Sequence, residues 1–388
     1  MPLDLKMRSW PDRDPALRGK PETGKIVGSA SRTFVSEGGL VVKAVDFNGR
    51  MAPIPRESSA ITSLAPGDGL LYGATSGEQS WLFQYAFTPH REAAIPLAPI
   101  PDCCEVRQSL VLAPGDVLYG AGSSRPGEES HLFRVTGLHL PGDVIQEWGV
   151  PRPHFESLDV PAAGEQVVCL RLDSQGEMLY GLTRPGGILF TFTLSDGSVN
   201  VLGEVDPVRF FSPVLIEDAR GTWYAWGTTG RMVRFEPWAG RIEAADLYVP
   251  CFPGRGPYAR IAAAVCDPQT GCLTVGDTEG LLSLIDPEQE QVTPLGKPTP
   301  IGGIDHLARL VDGRIFGVAG SREGMAHLFV IYPGGGGIRD LGVLCATTEK
   351  GWYGYRFGAM IATKEGRVIL GEDDHLGCLF IYFPPLSF

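Results

Sequence analysis

The sequence predicts an all-β protein built from repeated four-stranded units, and three observations lead to this prediction. A pattern of aliphatic residue, aromatic residue, Gly, polar loop and Leu-Phe recurs at 71–85, 117–135, 179–192 and 315–332. Its Gly, or an equivalent residue, returns about every fifty residues, the period of a propeller blade with its loops. The 51 Gly and 32 Pro are spread along the chain, which favours many short strands joined by turns. The repeat positions are Gly73, Gly120, Gly181, Ala225, Val275, Gly317 and Gly371.

The unit at 107–149 shows how the four strands are recognised. Its four predicted strands either alternate apolar and polar residues or stay apolar, and Gly, Pro or Asp stands at the turns between them. The strands are RQSLVLAP, VLYGAGS, HLFRVTG and VIQEWGV. The unit at 258–297 is the weakest, because CLTVGDTEGLLSLID has lost the aromatic residues. The same reading fits 60–100, 167–205, 212–250, 258–297 and 304–345.

The two ends of the chain complete each other in this interpretation. The last unit starts at YRFGAMIA, and the chain ends before its fourth strand. GGLVVKAVDF (38–47) is strand-like and precedes the first complete unit, so we expect it to close the last blade. The prediction is a seven-bladed β-propeller over 26–388 as one domain, with 1–25 as an N-terminal tail; six or eight blades are the alternatives.

Composition limits the function classes. The formal net charge of −12 argues against nucleic-acid binding, and no apolar run is long enough to span a membrane. The N-terminus lacks the apolar segment of a signal peptide, so we expect a cytoplasmic protein, or a secreted one if a signal peptide has been removed. The eight cysteines show no CxxC spacing, which favours buried reduced thiols over a zinc site.

We expect function on the face where fourth-to-first connectors and second-to-third loops surround the channel, because repeated core residues serve packing. Arg, Tyr, Trp and His are concentrated in the predicted connectors. Arg pairs with carboxylates and aromatic rings stack on sugars, so the pattern favours an acidic oligo- or polysaccharide. The predicted substrate-binding residues are Arg107, Arg209, Arg255, Arg260, Trp352, Tyr353 and Arg356.

The same set contains the groups that β-elimination of a uronate requires, namely a carboxylate neutraliser, a base and an acid. No cofactor is expected, and the alternative is a divalent metal at GEDDHLG, where Asp373, Asp374 and His375 are donors. GGGG at 334–337 predicts a hairpin rather than a phosphate site. The predicted catalytic residues are His154, His306, Tyr258 and Tyr355.

The repeated LYG…LF phrases resemble those of seven-bladed propeller repeat proteins, from about residue 38 to 388. In fold and residue type the chain is similar to propeller polysaccharide lyases, which cleave uronate-containing polymers with His, Tyr and Arg. That resemblance implies a carbohydrate-active lyase. The other interpretation is a non-catalytic scaffold that binds a protein partner through the same face.

Overall fold

A computed structural model describes residues 40–46, 54–86, 94–138, 153–206, 212–227, 230–250, 260–300, 302–320, 324–346, 352–374 and 377–385. The described strands form seven blades, each of four strands once β1 is counted with the last blade. Two short 3-10 turns, Arg56–Ser58 and Pro333–Gly335, are the helical segments of this part of the chain. The predicted all-β propeller is confirmed.

Blades 1 to 4 follow one another along the chain, and each is an antiparallel sheet in sequence order. Blade 1 contains β2 (Ala60–Pro66), β3 (Leu70–Ser76), β4 (Trp81–Ala86) and β5 (Ala94–Pro99). Blade 2 contains β6 (Leu110–Ala113), β7 (Val117–Ser123), β8 (Ser130–Thr136) and β9 (His154–Ser157). Blade 3 contains β10 (Gln166–Leu172), β11 (Met178–Arg184), β12 (Ile188–Thr193) and β13 (Val199–Glu204). Blade 4 contains β14 (Leu215–Glu217), β15 (Trp223–Trp226), β16 (Arg231–Glu236) and β17 (Arg241–Tyr248).

Blades 5 to 7 complete the ring, and β1 (Leu40–Asp46) closes it by pairing antiparallel with β29 (Cys378–Tyr382). The closing strand also pairs parallel with β25 (Ile338–Ala346) of blade 6, which the sequence did not predict. Blade 5 contains β18 (Ile261–Cys266), β19 (Leu273–Asp277), β20 (Leu282–Asp286) and β21 (Gln291–Gly296). Blade 6 contains β22 (Ile304–Arg309), β23 (Ile315–Ala319), β24 (His327–Ile331) and β25 (Ile338–Ala346), with β26 (Trp352–Tyr353) beside β25. Blade 7 contains β27 (Phe357–Ala362), β28 (Val368–Glu372) and β29 (Cys378–Tyr382).

The recurring Gly and Phe form a cross-strand pair. Gly73 lies opposite Phe83, and a Cβ at residue 73 would stand 2.1 Å from the Cζ atom of that ring. Where the Gly is replaced in blade 4, Ala225 faces Val233 instead of Phe. The pattern is therefore a packing device in which the ring occupies the space that a side chain would take.

Two details of the predicted repeat are wrong. In blade 7 the residue opposite the Phe is Leu370, so Gly371 is one position past the equivalent of Gly73. In blade 2 the fourth strand is β9, which begins five positions after the predicted end of the unit at 149, while the predicted VIQEWGV strand lies outside the described residues. The second error arises because HFES, which was read as part of a connector, pairs with β8 as the fourth strand.

Aromatic side chains fill the layers between neighbouring blades. Tyr180 of blade 3 stacks on Trp223 of blade 4 with ring centroids 4.2 Å apart, a geometry that contributes about 0.5–1.5 kcal/mol beyond burial. The described cysteines are free thiols, and Cys103, Cys169, Cys345 and Cys378 are buried. In this part of the chain, no helix has the length and apolar character needed to cross a membrane.

Candidate functional site

The innermost strands surround a cavity of about 370 Å³ on the propeller axis. Its lining comes from several blades and includes Leu64, Leu110 and Ala263. Three ionisable side chains also line it, those of His306, Arg171 and Arg309. Since innermost strands alternate their side chains between the channel and the blade, each blade can present its own chemistry to the axis.

His306 is the third residue of β22, not a connector residue as predicted, and it is partly buried. Its Nε2 lies 2.9 Å from the carbonyl oxygen of Phe357, which can only accept a hydrogen bond. Burial lowers the pKa of His306, while Asp305 and Asp373 act in the opposite direction. The imidazole is therefore neutral at pH 7, with its proton on Nε2 and its lone pair on Nδ1.

Arg171 approaches the channel from β10 of blade 3. One Nη atom donates to the carbonyl oxygens of Gln108 and Leu170, at 3.1 and 2.9 Å. This anchoring directs the guanidinium across the inner edge of blade 2, and its positive charge also acts to lower the pKa of His306. The arginine is thus a fixed cation within the same cavity as the neutral imidazole.

A charged cluster, Glu105, Arg107, Arg356 and Asp373, lies in the connectors and loops above this cavity, and we call it the mouth cluster. Asp373 Oδ2 is 2.8 Å from an Nη of Arg356 and 3.6 Å from an Nη of Arg107. The Asp373 side chain is 10% exposed, whereas that of Arg356 is 56% exposed. Arg356 therefore faces solvent while held by a nearly buried carboxylate.

Glu105, the most buried member of the mouth cluster, is 5% exposed. It forms an ion pair with Nε of Arg107 and accepts a hydrogen bond from Nε2 of Gln166 at 2.5 Å. Arg184 in turn donates to the side-chain oxygen of Gln166. Burial opposes ionisation of Glu105, but the contact with Arg107 outweighs it, so the pKa of Glu105 is lowered and the carboxylate stays charged. This chain of contacts fixes Arg107 in one orientation.

The structure brings together some of the predicted residues and separates others. Arg107 and Arg356 meet at the mouth cluster, with Tyr355 next to Arg356 and partly buried. Arg260 is exposed just before β18, and Tyr353 lies on β26 with Trp352. The predicted Arg209, Arg255 and Tyr258 lie outside the described residues.

The prediction for His154 is wrong in its placement. The residue begins β9, the outermost strand of blade 2, and is exposed rather than at the axis. It pairs with Thr136 at the far end of β8. Thr136 is six residues from Ser130, the end of β8 nearer the mouth cluster, which corresponds to about 20 Å at the rise of a strand. The HFES segment pairs with β8 at the outer edge of blade 2, and this placement removes the histidine from the channel.

The alternative metal site receives no support from the described geometry. Asp373 is engaged with two arginines, and the residues that the structure describes contain no group of three or more His, Cys, Asp or Glu arranged to hold a metal ion. His375 lies outside the described residues. The electrostatic role of Asp373 is therefore to hold cations of the protein itself.

Sequence reasoning missed Arg171 and the pairing role of Asp373. Arg171 interrupts the apolar segment VVCLRL in a strand predicted to be innermost, and that interruption was the available signal. Asp373 and Arg107 are more than two hundred and fifty positions apart along the chain, and their contact depends on ring closure. Glu105 and Gln166 were hidden in the same way, because each is an ordinary polar loop or edge residue in sequence.

No protein-family model matches the sequence, and no curated protein sequence matches it. Solved structures do share its fold. A virginiamycin B lyase from Staphylococcus aureus superposes with a TM-score of 0.63 at 9% identity, over 88% of this chain and 99% of that one. A catalytically inactive histidine-to-alanine variant of that enzyme with quinupristin gives 0.64 at 7% identity, over 88% and 99%. At these identities the similarity shows the propeller fold alone.

A second group of similar structures consists of extracellular domains from B. thetaiotaomicron. One, described as belonging to a one component system, has a TM-score of 0.56 at 14% identity, over 90% of this chain and 40% of that one. Another, from a hybrid two component system, gives 0.57 at 13% identity, over 84% and 40%. A similar propeller fold is therefore found in a virginiamycin B lyase and in extracellular domains of one component and two component systems.

Proposed function

We propose that this chain binds an acidic carbohydrate at the channel mouth and cleaves it by β-elimination, with His306 as the base. One observation carries the proposal. His306 is a neutral imidazole in the axial cavity, its Nε2 proton is directed to the Phe357 carbonyl, and its Nδ1 has no hydrogen-bond partner among the described residues. A lone pair held in this way is ready to remove a proton.

Carboxylate recognition rests on Arg356, supported by Arg107. The guanidinium of Arg356 is more than half exposed, so a substrate carboxylate can approach it without breaking its bond to Asp373. Glu105 and Asp373 balance the charges of Arg107 and Arg356, while the exposed part of the Arg356 guanidinium keeps N–H donors for a second carboxylate. Neutralising a uronate carboxylate makes the adjacent C5 proton more acidic, which lowers the barrier to its removal.

The elimination step balances with groups of this chain. Nδ1 of His306 takes the C5 proton, the electron pair forms the C4–C5 double bond, and the bond from C4 to the glycosidic oxygen breaks. The leaving oxygen takes a proton from the Tyr355 hydroxyl, which stands beside Arg356 in the sequence and is partly buried. The products are an unsaturated uronate and a new sugar end, and solvent restores both protonation states. Arg171 would stabilise the enolate that develops during proton removal.

The comparisons add limited support to this proposal. A virginiamycin B lyase has a similar propeller fold, and its catalytically inactive variant lacks one histidine. The low identity carries no residue over to this chain. His306 is assigned as the base on its own hydrogen bond to Phe357, its place in the axial cavity and its neutral state.

The test is a panel of uronate-containing polymers, with quinupristin as a chemically different lyase substrate. Turnover is measured as the ultraviolet absorbance of the unsaturated uronate and by mass spectrometry of the products. His306→Asn should lower kcat by about 10²–10⁴-fold, the usual contribution of a positioned base. The matched control is His327→Asn, since His327 pairs with Asp340 between β24 and β25 rather than in the channel.

Arg356→Ala should weaken binding by about tenfold or more, the value of one charged hydrogen bond at a half-exposed site. Arg134→Ala is its control, because Arg134 pairs with Glu156 on the outer strands of blade 2. If no member of the panel is bound or cleaved, and a stoichiometric protein partner is recovered from the native source, the scaffold interpretation replaces this proposal. If a substrate is cleaved equally by the wild type and His306→Asn, the base assignment is wrong.

A further inference from the structure

The repeat is broken at one core position of blade 5. Thr274 stands directly before Val275, which occupies the glycine position, and pairs with Leu284. In the other blades this position carries a large side chain that packs toward the next blade, as Phe316 does against Tyr382 at 5.6 Å. The equivalent residues are Tyr72, Tyr119, Tyr180, Tyr224, Phe316 and Ile369. The layer between blades 5 and 6 therefore lacks the ring that this position contributes in five other layers.

A cavity of about 700 Å³ lies where that ring is missing. Thr274 and Leu284 line it on blade 5, while Ile315, Ile331 and Tyr332 line it on blade 6. Small-molecule sites commonly enclose about 300–1,000 Å³ and are mostly apolar with a few polar groups. The volume and the mainly apolar lining of this cavity match those of small-molecule sites.

The Thr274 hydroxyl is a polar group in the wall of this cavity. Thr274 is 5% exposed, and the described residues provide no hydrogen-bond partner for its hydroxyl. Thr274 lines the cavity, and a hydroxyl can both donate and accept a hydrogen bond. A hydroxyl in this position is available to a ligand that enters the cavity.

The charge of the lining favours an anion. Arg309 and Lys297 both contribute to the cavity, with Asp267 as the acidic residue of its described lining. An Nη of Arg309 is 3.0 Å from Oδ1 of Asp267. A guanidinium has five N–H donors, so this one ion pair leaves donors for a second acid. The cavity is thus locally positive in a chain whose formal net charge is −12.

We infer that this cavity is a second binding site, for a small aromatic carboxylate. The ring of the ligand takes the place of the missing side chain between Thr274 and Ile315, and its carboxylate accepts hydrogen bonds from Arg309 and the Thr274 hydroxyl. The site lies between two blades, does not include His306 or the mouth cluster, and does not depend on the proposed function. Arg309 also lines the axial cavity, so it lies between the two sites.

The direct test is calorimetric titration of the whole chain with 2-naphthoate. The wild type should show saturable binding of one equivalent, and Thr274→Tyr should abolish it by restoring the ring found in other blades. Thr274→Ser keeps the hydroxyl and the space, so it should bind as the wild type does. Leu284→Phe fills the cavity from the same blade and gives an independent result if Thr274→Tyr does not fold.

A second set of titrations tests the contribution of the Arg309 charge. Arg309→Gln should weaken 2-naphthoate binding by about tenfold or more, because a charged hydrogen bond is lost. The same variant should leave binding of the uncharged 2-naphthalenemethanol unchanged. The inference is overturned if the wild type shows no saturable binding, if the folded cavity-filling variants bind as well as the wild type, or if Thr274→Ser loses as much affinity as Thr274→Tyr.

Discussion

Replacing Gly73 with Ala tests the packing device that repeats through the propeller. The new Cβ would lie 2.1 Å from Cζ of Phe83 and 2.5 Å from Cε1, where an ordinary contact needs more than 3.4 Å. Phe83 is fully buried, so its ring has no free space into which to move. Overpacking of this kind costs about 1–3 kcal/mol, and we expect at least the upper half of that range in the free energy of unfolding.

Blade 4 shows which second substitution should compensate for Gly73→Ala. Phe83→Val alone removes buried ring atoms and should cost about 2–4 kcal/mol. Combined with Gly73→Ala it copies the natural pair Ala225–Val233 of blade 4. The double variant should therefore be more stable than the sum of the single changes by about 1 kcal/mol or more.

Urea unfolding followed by tryptophan fluorescence and circular dichroism gives the three free energies. Gly324→Ala is the matched control, since no described heavy atom lies within 4 Å of its Cβ, and its effect should stay within about 0.5 kcal/mol. The reasoning is refuted if Gly73→Ala is no more harmful than Gly324→Ala, or if the double variant is simply additive.

Three further outcomes follow from the structure. Deleting residues 40–46 removes the partner of both β25 and β29, so size-exclusion chromatography should show loss of the soluble monomer; a stable monomer would contradict closure by β1. Burial lowers the pKa of His306, so the unfolded state binds more protons below its ordinary pKa of about 6.5. Stability should therefore fall as pH drops through that value, and His306→Gln should flatten the dependence of the melting temperature on pH. Glu105→Gln leaves Arg107 without its nearly buried carboxylate and should cost about 2–4 kcal/mol by urea unfolding; an unchanged midpoint would show that the mouth cluster has no structural role.

Individual residues show how far the candidate site could be predicted. Arg107 and Arg356 were found because connectors between blades open on one face, a property of the repeat that is readable from spacing. His306 was found for the same reason, although it lies on a strand. His154 was misplaced because strand and connector differ there by a few residues, and edge pairing with β8 decided the outcome. The local sequence does not show which segment pairs with β8.

The architecture was determined by the sequence itself, because blade packing is local and repeats. Each Gly–Phe pair joins strands about ten residues apart, so its spacing carries the information, and the strand at 40–46 was recognisable as a blade's missing member. The chemistry was decided by ring closure. Arg107 meets Asp373, Phe357 binds His306, and Thr274 faces Ile315 only after the blades are arranged around one axis. Such contacts join residues whose separation in sequence has no period, and their burial, charge and hydrogen bonding arise from the tertiary structure.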